Sequence, residues 1–186
     1  MAQNNINSFS NVITGDSTNG VPIAMWHNAL RGAGWTDPKD LFLPRVICGH
    51  FDSTANPCNA GLGKLANFAI EELRKHKIPA FSTGFASPND AIAMGTDAMH
   101  WSLPMRDLAA WSMHAKVRAY AFDALMWFVD CDKTLPAAVM AAGYAKDRPC
   151  VILHGGTIKP GKFNNTDISI GDAASSLTAV DTGKMT

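Results

Sequence analysis

The sequence has no long apolar run, no excess of one charge and no closely spaced cysteine pair. No apolar stretch approaches the ~20 residues that a membrane-spanning helix needs. The 16 basic and 16 acidic residues give a formal net charge of +0, without a basic cluster. This balance argues against nucleic acid or an anionic membrane surface as the partner. Four cysteines without a C-x-x-C pair exclude the common zinc modules and give no sign of a secreted disulfide framework.

The first twenty residues lack both an apolar signal core and arginine, and are rich in Asn, Ser and Thr. We therefore expect residues 1–20 to form a flexible N-terminal arm and residues 21–186 to form one domain. The absence of a secretory or transit pattern predicts a cytoplasmic protein, with a mitochondrial or plastid location as the less favoured alternative.

Short apolar runs alternate with helical patterns along the rest of the chain. Hydrophobic residues make up 47% and charged residues 17%, which indicates a globular protein with a core. We predict strands at 45–49, 80–83, 124–129 and 149–154, and helices that begin near residues 62, 102, 135 and 172. This alternation predicts an α/β fold with three α/β/α layers and a mostly parallel sheet. In the helix from Ser102, we expect Leu108, Trp111 and Ala115 to face the core.

The tripeptide Cys131-Asp132-Lys133 lies between the apolar run 124–129 and a predicted helix. It offers a soft sulfur ligand, a hard oxygen ligand and an amine. Thr134 can cap the helix and Pro136 suits its first turn. A strand end facing a helix N-terminus is a usual place for chemistry in α/β proteins, and the helix dipole favours a thiolate there. The alternative is a small buried cysteine beside a surface Asp–Lys pair.

Loops follow all four predicted strands, and in a parallel sheet such loops meet at one edge. They would bring Cys58 and Cys131 together with Asp90 and Asp132. Thiolates select iron–sulfur clusters or zinc and carboxylates select Mg²⁺ or Mn²⁺, so the mixed set predicts two metals of different character. An ammonium at Lys133 would repel a cation, so this lysine would pair with an aspartate or react with CO₂ to form an anionic carbamate. Two alternatives stay open: Asp90 as a capping or turn residue, and Cys58 as a buried thiol.

A glycine-rich segment, Gly155–Lys162, follows the last predicted strand. From Gly156 it matches the spacing of a nucleotide P-loop as far as Lys162. Phe163 then replaces the Ser or Thr that would hold Mg²⁺, and the pattern does not continue as a helix. A turn that lines the pocket is therefore the preferred interpretation over nucleotide binding. Of the six histidines, only His154 is a candidate for this pocket, and a satisfied core or edge histidine is the preferred interpretation there.

Together these segments resemble the N-terminal domain of the dihydroxy-acid dehydratase/phosphogluconate dehydratase family, from about Asn28 to the last residue. The matching segments are Gly34-Trp-Thr-Asp37, Pro57-Cys-Asn59, Asp90-Ala-Ile-Ala-Met-Gly95, Ser102-Leu-Pro104, Phe122-Asp123, Cys131-Asp-Lys133, Pro136, Gly155-Gly-Thr-Ile-Lys-Pro-Gly161 and Gly183-Lys-Met185. The ordered set is more specific than any one segment. Its Gly-Gly-Thr-Ile-x-Pro-Gly form favours the dihydroxy-acid branch over the sugar-acid branches.

The resemblance implies a hydro-lyase that converts a 2,3-dihydroxy acid to a 2-keto acid and water, a step in valine, leucine and isoleucine synthesis. It implies that Cys58 and Cys131 bind an iron–sulfur cluster, either 2Fe–2S or 4Fe–4S. It also implies that Asp90, Asp132 and a carbamylated Lys133 bind Mg²⁺, with Asp132 and Lys133 in the catalytic set. The residues that it places around the substrate are Gly155, Gly156 and Thr157.

Several positions depart from the family pattern. Family members usually have Gly where this chain has Asp130, Thr where it has Asn56, and a pocket serine where it has Met105. Asp130 would add negative charge beside an anionic cluster. The resemblance also implies a third cluster cysteine and a C-terminal domain with a serine base, which this sequence does not contain. We therefore expect a truncated N-terminal domain, inactive alone, from a family of homodimers. The alternatives are a fragment of a sugar-acid (aldonate or phosphogluconate) dehydratase and a non-catalytic metal-binding remnant.

Overall fold

The structure of this chain is a computed structural model that describes residues 25, 28–33, 43–156 and 158–183. The expected arm at residues 1–20 and the pocket residue Thr157 lie outside these ranges. The chain divides after Gly155 into two compact units. Among the described helices, none combines the length and the apolar character that crossing a membrane requires.

Four parallel strands form the sheet of the first unit: β1 (Val46–His50), β2 (Ala80–Gly84), β3 (Ala124–Val129) and β4 (Cys150–His154). Their order across the sheet is β2–β1–β3–β4, with Cys48 opposite Ser82 on one side and Met126 on the other. Each strand coincides within a residue or so with a predicted strand, and the two central strands, β1 and β3, are mostly buried, as their apolar sequences indicate. The predicted α/β fold with a parallel sheet is confirmed.

The helices of the first unit are α1 (Leu62–Lys75), α2 (Asp90–Ala93), α3 (Ser102–Ala119) and α4 (Thr134–Tyr144), with a 3₁₀ helix at Asp97–Trp101. The connection from β1 to β2 runs to one side of the sheet, and the connection from β3 to β4 runs to the other. Right-handed crossovers therefore place α1 on one face and α4 on the opposite face. α3 packs beside α4, where the rings of Trp111 and Tyr144 stack at 5.4 Å between centroids. The three-layer arrangement follows from this strand order.

The core lies between the sheet and the helices. Its largest fully buried side chains include Trp127 and Phe128 of β3 and Ile47 of β1. On α3, however, the predicted inward face is wrong. Leu108, Trp111 and Ala115 are exposed, and the helix instead buries Ala109, Ala110, Met113 and Val117. Small alanines let the helix approach its neighbours closely, whereas Trp111 finds its partner on the surface of α4.

The second unit consists of a hairpin and a helix. Strands β5 (Gly161–Phe163) and β6 (Thr166–Ile168) are antiparallel, and the helix α5 spans Ile170–Asp181. The two-residue turn between the strands uses Asn164 and Asn165, both with positive φ, as a type I′ turn requires. A P-loop lysine must open a helix, but Lys162 lies in a strand, so the nucleotide-binding interpretation is wrong.

Candidate functional site

The four strands of the first unit all end at the same edge of the sheet. β1 and β3 are neighbours whose onward connections run to opposite sides. The crevice between their carboxyl ends is therefore the topological switch point, where open α/β sheets bind ligands. The loop after β1 carries Cys58 and the loop after β3 carries Cys131, while Asp90 opens α2 after β2.

Lys133 lies between two carboxylates at this edge. Its Nζ is 2.5 Å from Asp90 Oδ2 and 2.6 Å from Asp132 Oδ2. Hydrogen bonds to Asp132 and Asp90 raise the pKa of Lys133, and the bond from Lys133 lowers the pKa of Asp132. Asp90 is buried and is not the helix cap, because Asn89 Oδ1 accepts the hydrogen bond from Ile92 N–H at 3.4 Å. The lysine thus joins the ends of β2 and β3.

Cys131 has a φ of 65°, a left-handed backbone that residues other than glycine rarely adopt away from turns and functional sites. Its N–H donates to Asp130 Oδ1 at 2.9 Å, and its Sγ lies 3.3 Å from Asp132 Oδ1. Burial, followed by the hydrogen bond to Asp132, raises the pKa of the thiol to about 11. Burial and the neighbouring carboxylate both disfavour a second negative charge, which opposes the effect expected from the helix dipole.

The two candidate cluster cysteines, Cys58 and Cys131, both lie on loops that follow strands of the sheet. The Cys58 thiol is close enough to contribute to the raised pKa of Cys131, and both side chains are partly exposed and free of disulfides. The other two cysteines lie elsewhere, with Cys48 in the interior of β1 and Cys150 at the amino end of β4. Only Cys58 and Cys131 therefore lie on the loops at the carboxyl edge.

Asp130 has partners that the sequence did not reveal. Its Oδ1 lies 3.1 Å from His154 Nε2 and accepts the Cys131 N–H, so the carboxylate does not stand alone. Its own N–H donates to Thr134 Oγ1 at 3.2 Å. Thr134 therefore does not cap α4, whose N-cap is Lys133 without a side-chain hydrogen bond. A Cβ on Gly155 would lie 3.2 Å from Asp130 Oδ2, so glycine allows the end of β4 to approach this carboxylate.

Two buried asparagines flank Cys58 and were given no role by the sequence. Asn56 and Asn59 are 1% and 0% exposed, and both side-chain amides donate to Ser87 Oγ. Asn56 Oδ1 also accepts the Cys58 N–H at 3.1 Å. The one signal in the sequence was the asparagine on each side of the Pro57-Cys58 pair.

The donor types at this edge fit Mg²⁺ better than a complete iron–sulfur cluster. Mg²⁺ is commonly held by one or two carboxylates together with water and substrate, and Asp90 and Asp132 supply two. Asp90 Oδ1 is buried and has no hydrogen-bond partner among the described residues. Clusters usually take four cysteines, whereas two thiols meet here. Within the described ranges, no group of three or more His, Cys, Asp or Glu side chains is arranged to hold a metal ion.

Comparisons with known proteins agree with these segments. A family model described as dihydroxy-acid/6-phosphogluconate dehydratase, N-terminal, matches residues 44–186. A dihydroxy-acid dehydratase of Prochlorococcus marinus (strain MIT 9215) is 33% identical over 168 residues, which is 90% of this chain and 30% of the relative. A dihydroxy-acid dehydratase of Francisella tularensis subsp. novicida (strain U112) is 33% identical over 181 residues, 97% of this chain and 31% of the relative. The chain thus spans about 30% of the length of these relatives.

Proposed function

The chain belongs to the dihydroxy-acid/6-phosphogluconate dehydratase family, and we propose that it supplies the N-terminal, metal-binding part of a hydro-lyase. The reaction would convert a 2,3-dihydroxy acid to a 2-keto acid and water. One observation carries the proposal: two carboxylates converge on Lys133, and one of them, Asp132, has an oxygen 3.3 Å from Cys131 Sγ, at the carboxyl edge of the sheet. A cytoplasmic location and a homodimer stay predictions.

The reaction explains why two kinds of ligand would share one edge. Hydroxide is a poor leaving group, and the C2 proton is weakly acidic until the adjacent carboxylate is neutralised. When bound, an iron–sulfur cluster would supply a Lewis acid for the departing 3-hydroxyl, and Mg²⁺ would stabilise the enolate. We assign Cys58 and Cys131 to the cluster, and Asp90, Asp132 and Lys133 to Mg²⁺. The described thiols would be two of its ligands and not the whole set.

Lys133 must change its charge before this edge can accept a cation. As an ammonium it pairs with both Asp90 and Asp132 and offsets one of their two negative charges. Loss of a proton from Nζ followed by attack on CO₂ forms an N–C bond and releases a further proton, which leaves an anionic carbamate. The same three side chains would then present three negative groups to Mg²⁺. Cation binding is therefore expected to strengthen when CO₂ is supplied.

The glycines after β4 are the proposed substrate side of the pocket. Gly155 has no room for a Cβ, which would lie 2.6 Å from Leu62 Cδ2. We assign Gly155, Gly156 and Thr157 to this role by the family resemblance. A second candidate function, a non-catalytic domain, is favoured by the Lys133 pairing, because an ammonium already bonds one oxygen of each carboxylate.

Iron and sulfide analysis after anaerobic reconstitution tests the assignment of the thiols. We expect the wild-type chain to bind both, and Cys58→Ser and Cys131→Ser to lose most of the iron. Cys150→Ser is the matched control, since Cys150 lies at the opposite end of β4 and should leave the iron content unchanged. Equal iron in all four proteins would refute the assignment.

Turnover of 2,3-dihydroxyisovalerate and of 6-phosphogluconate then distinguishes the candidate functions. We expect little keto acid from this chain alone, because the relatives use about three times its length. Preferred turnover of the sugar acid would favour the sugar-acid branch. Failure to bind iron or Mg²⁺ would contradict both the hydro-lyase assignment and the metal-binding remnant.

A further inference from the structure

Asn56, Asn59 and Ser87 form a buried polar group, here called the Asn–Ser cluster, between two loops of the site. Ser87 Oγ accepts hydrogen bonds from Asn59 Nδ2 and, at 3.5 Å, from Asn56 Nδ2. It donates its own hydrogen to Pro88 O at 3.0 Å. The loop that carries Cys58 is thereby joined to the segment directly before Asp90.

The two asparagines differ in how their amides are used. Asn56 is bonded at both ends, with Oδ1 on the Cys58 N–H and Nδ2 on Pro88 O at 3.1 Å. The Ser87 hydrogen is taken by Pro88 O, so Ser87 can only accept from Asn59, and this places Asn59 Nδ2 at that end. Asn59 Oδ1 is then left fully buried, with no hydrogen-bond partner among the residues that the structure describes. Buried acceptors are rarely kept without a donor.

Asp90 shows the same pattern on the other loop. Its Oδ2 bonds Lys133, while its buried Oδ1 has no hydrogen-bond partner in the described part of the chain. Two oxygen acceptors without a donor thus lie on the two segments that the Asn–Ser cluster joins. A hydrated divalent cation would satisfy both oxygens. The ion binds a lone pair of the carboxylate oxygen, and its hydration water donates a hydrogen bond to the amide oxygen.

We propose that Asn59 is a positioning residue for a hydrated divalent cation at Asp90. Its amide oxygen accepts a hydrogen bond from hydration water, and its amide nitrogen holds the Cys58 loop to Ser87. The inference rests on the proposed function, since it deepens the Mg²⁺ site assigned there to Asp90. It gives Asn59 a role in orienting water, and no role as a direct ligand.

Titration with Mn²⁺ alone, followed by electron paramagnetic resonance in bicarbonate buffer, tests this role. Asn59→Leu removes both polar ends of the amide at nearly constant volume. We expect it to weaken Mn²⁺ binding by about ten-fold or more, as losses in the outer shell of metal sites do. The rise in Tm caused by Mg²⁺ should shrink, whereas the Tm in chelator should change little, because the unsatisfied oxygen is removed as well.

Three further variants separate this role from a structural one. Asn59→Asp keeps an acceptor oxygen but loses the donor to Ser87 Oγ, so it should restore Mn²⁺ binding only in part. Ser87→Ala releases the Asn59 amide and should weaken binding in the same direction. Asn67→Leu, on the exposed surface of α1, is the matched asparagine control and should leave the Kd unchanged.

A purely structural Asn59 would lower the Tm in chelator and leave the Kd for Mn²⁺ intact, which would overturn the inference. If Asn59→Leu does not fold, an unchanged Kd in Ser87→Ala overturns it equally. If the wild-type chain binds no Mn²⁺ with or without bicarbonate, the proposed Mg²⁺ site itself has failed. Wild-type binding with no effect of the variants refutes only the role of Asn59.

Discussion

Glycine at position 49 allows two aromatic rings to pack directly against the backbone at the centre of the sheet. A Cβ at this position of β1 would lie 2.4 Å from Trp127 Cζ3 and 2.7 Å from Phe85 Cε2. The two rings already pack edge to face at 5.9 Å. Trp127 is fully buried on the adjacent strand, so its ring cannot move without displacing neighbouring side chains.

We therefore expect Gly49→Ala to lower the free energy of unfolding by about 1–3 kcal/mol, the usual cost of overpacking a core. Urea denaturation measures the change. Gly84→Ala is the matched control on the paired strand β2, where the nearest atom, His50 Cε1, lies 3.5 Å from the added Cβ. Equal losses in the two variants would contradict the packing argument.

At the level of elements, the sequence predicted the features that depend on a local hydrophobic pattern, such as the position of a strand. The strand at 124–129 was predicted to the residue, because a short apolar run between turn residues is typical of a buried strand. The inward face of α3 was not, because its apolar residues occupy two stripes and only the position of α4 decides which is buried. The partners of Asp130 and the orphaned oxygen of Asn59 depend on contacts between loops far apart in the chain, which no local pattern encodes.

The capping box of α5 provides a test at the scale of one element. The Ser169 hydroxyl accepts the Asp172 N–H at 3.2 Å, and Asp172 accepts the Ser169 N–H at 2.8 Å. We expect Ser169→Ala to destabilise this helix by about 1 kcal/mol, since the first turn loses a donor–acceptor pair. Faster hydrogen exchange of the α5 amides, read by NMR, would report the loss.

The same box predicts a dependence on pH. Hydrogen bonds from the Ser169 side chain and backbone lower the pKa of Asp172. The carboxylate therefore stabilises the helix above the ordinary aspartate pKa, and this contribution is lost as pH falls through the lowered value. Ser169→Ala should flatten the acid dependence. Ser175→Ala, within the same helix, should keep it, because that hydroxyl donates to the Gly171 carbonyl and not to Asp172.

At the scale of the whole molecule, the site exists only because four strands run the same way. The loops that carry the site residues, from Cys58 in the first to Gly155 in the last, lie at one edge of the sheet. In the strand order β2–β1–β3–β4, the connections that leave β1 and β3 run in opposite directions. The alternation of elements in the sequence implied a parallel sheet but not this order. The position of the switch point, and hence which two loops face each other, followed from the tertiary structure alone.

The alkylation rate of Cys48 reports unfolding of the entire sheet. It lies at 0% exposure in the middle of β1, and burial raises the pKa of its thiol to about 11. Alkylation by iodoacetamide should therefore require unfolding of the first unit as a whole. Cys150, at the start of the edge strand β4, is partly exposed and should react through local fraying.

We expect Gly49→Ala to speed alkylation of Cys48 by about ten-fold for each ~1.4 kcal/mol of lost stability, since the open population grows by that factor. The rate at Cys150 should change far less. Mass spectrometry of the two cysteine peptides after timed pulses gives both rates from one sample.

Parallel acceleration of both would mean that β4 opens only with the rest of the sheet. An unchanged rate at Cys48 would mean that β1 is reached without global unfolding, and would overturn the view that this strand forms the stable centre of the unit.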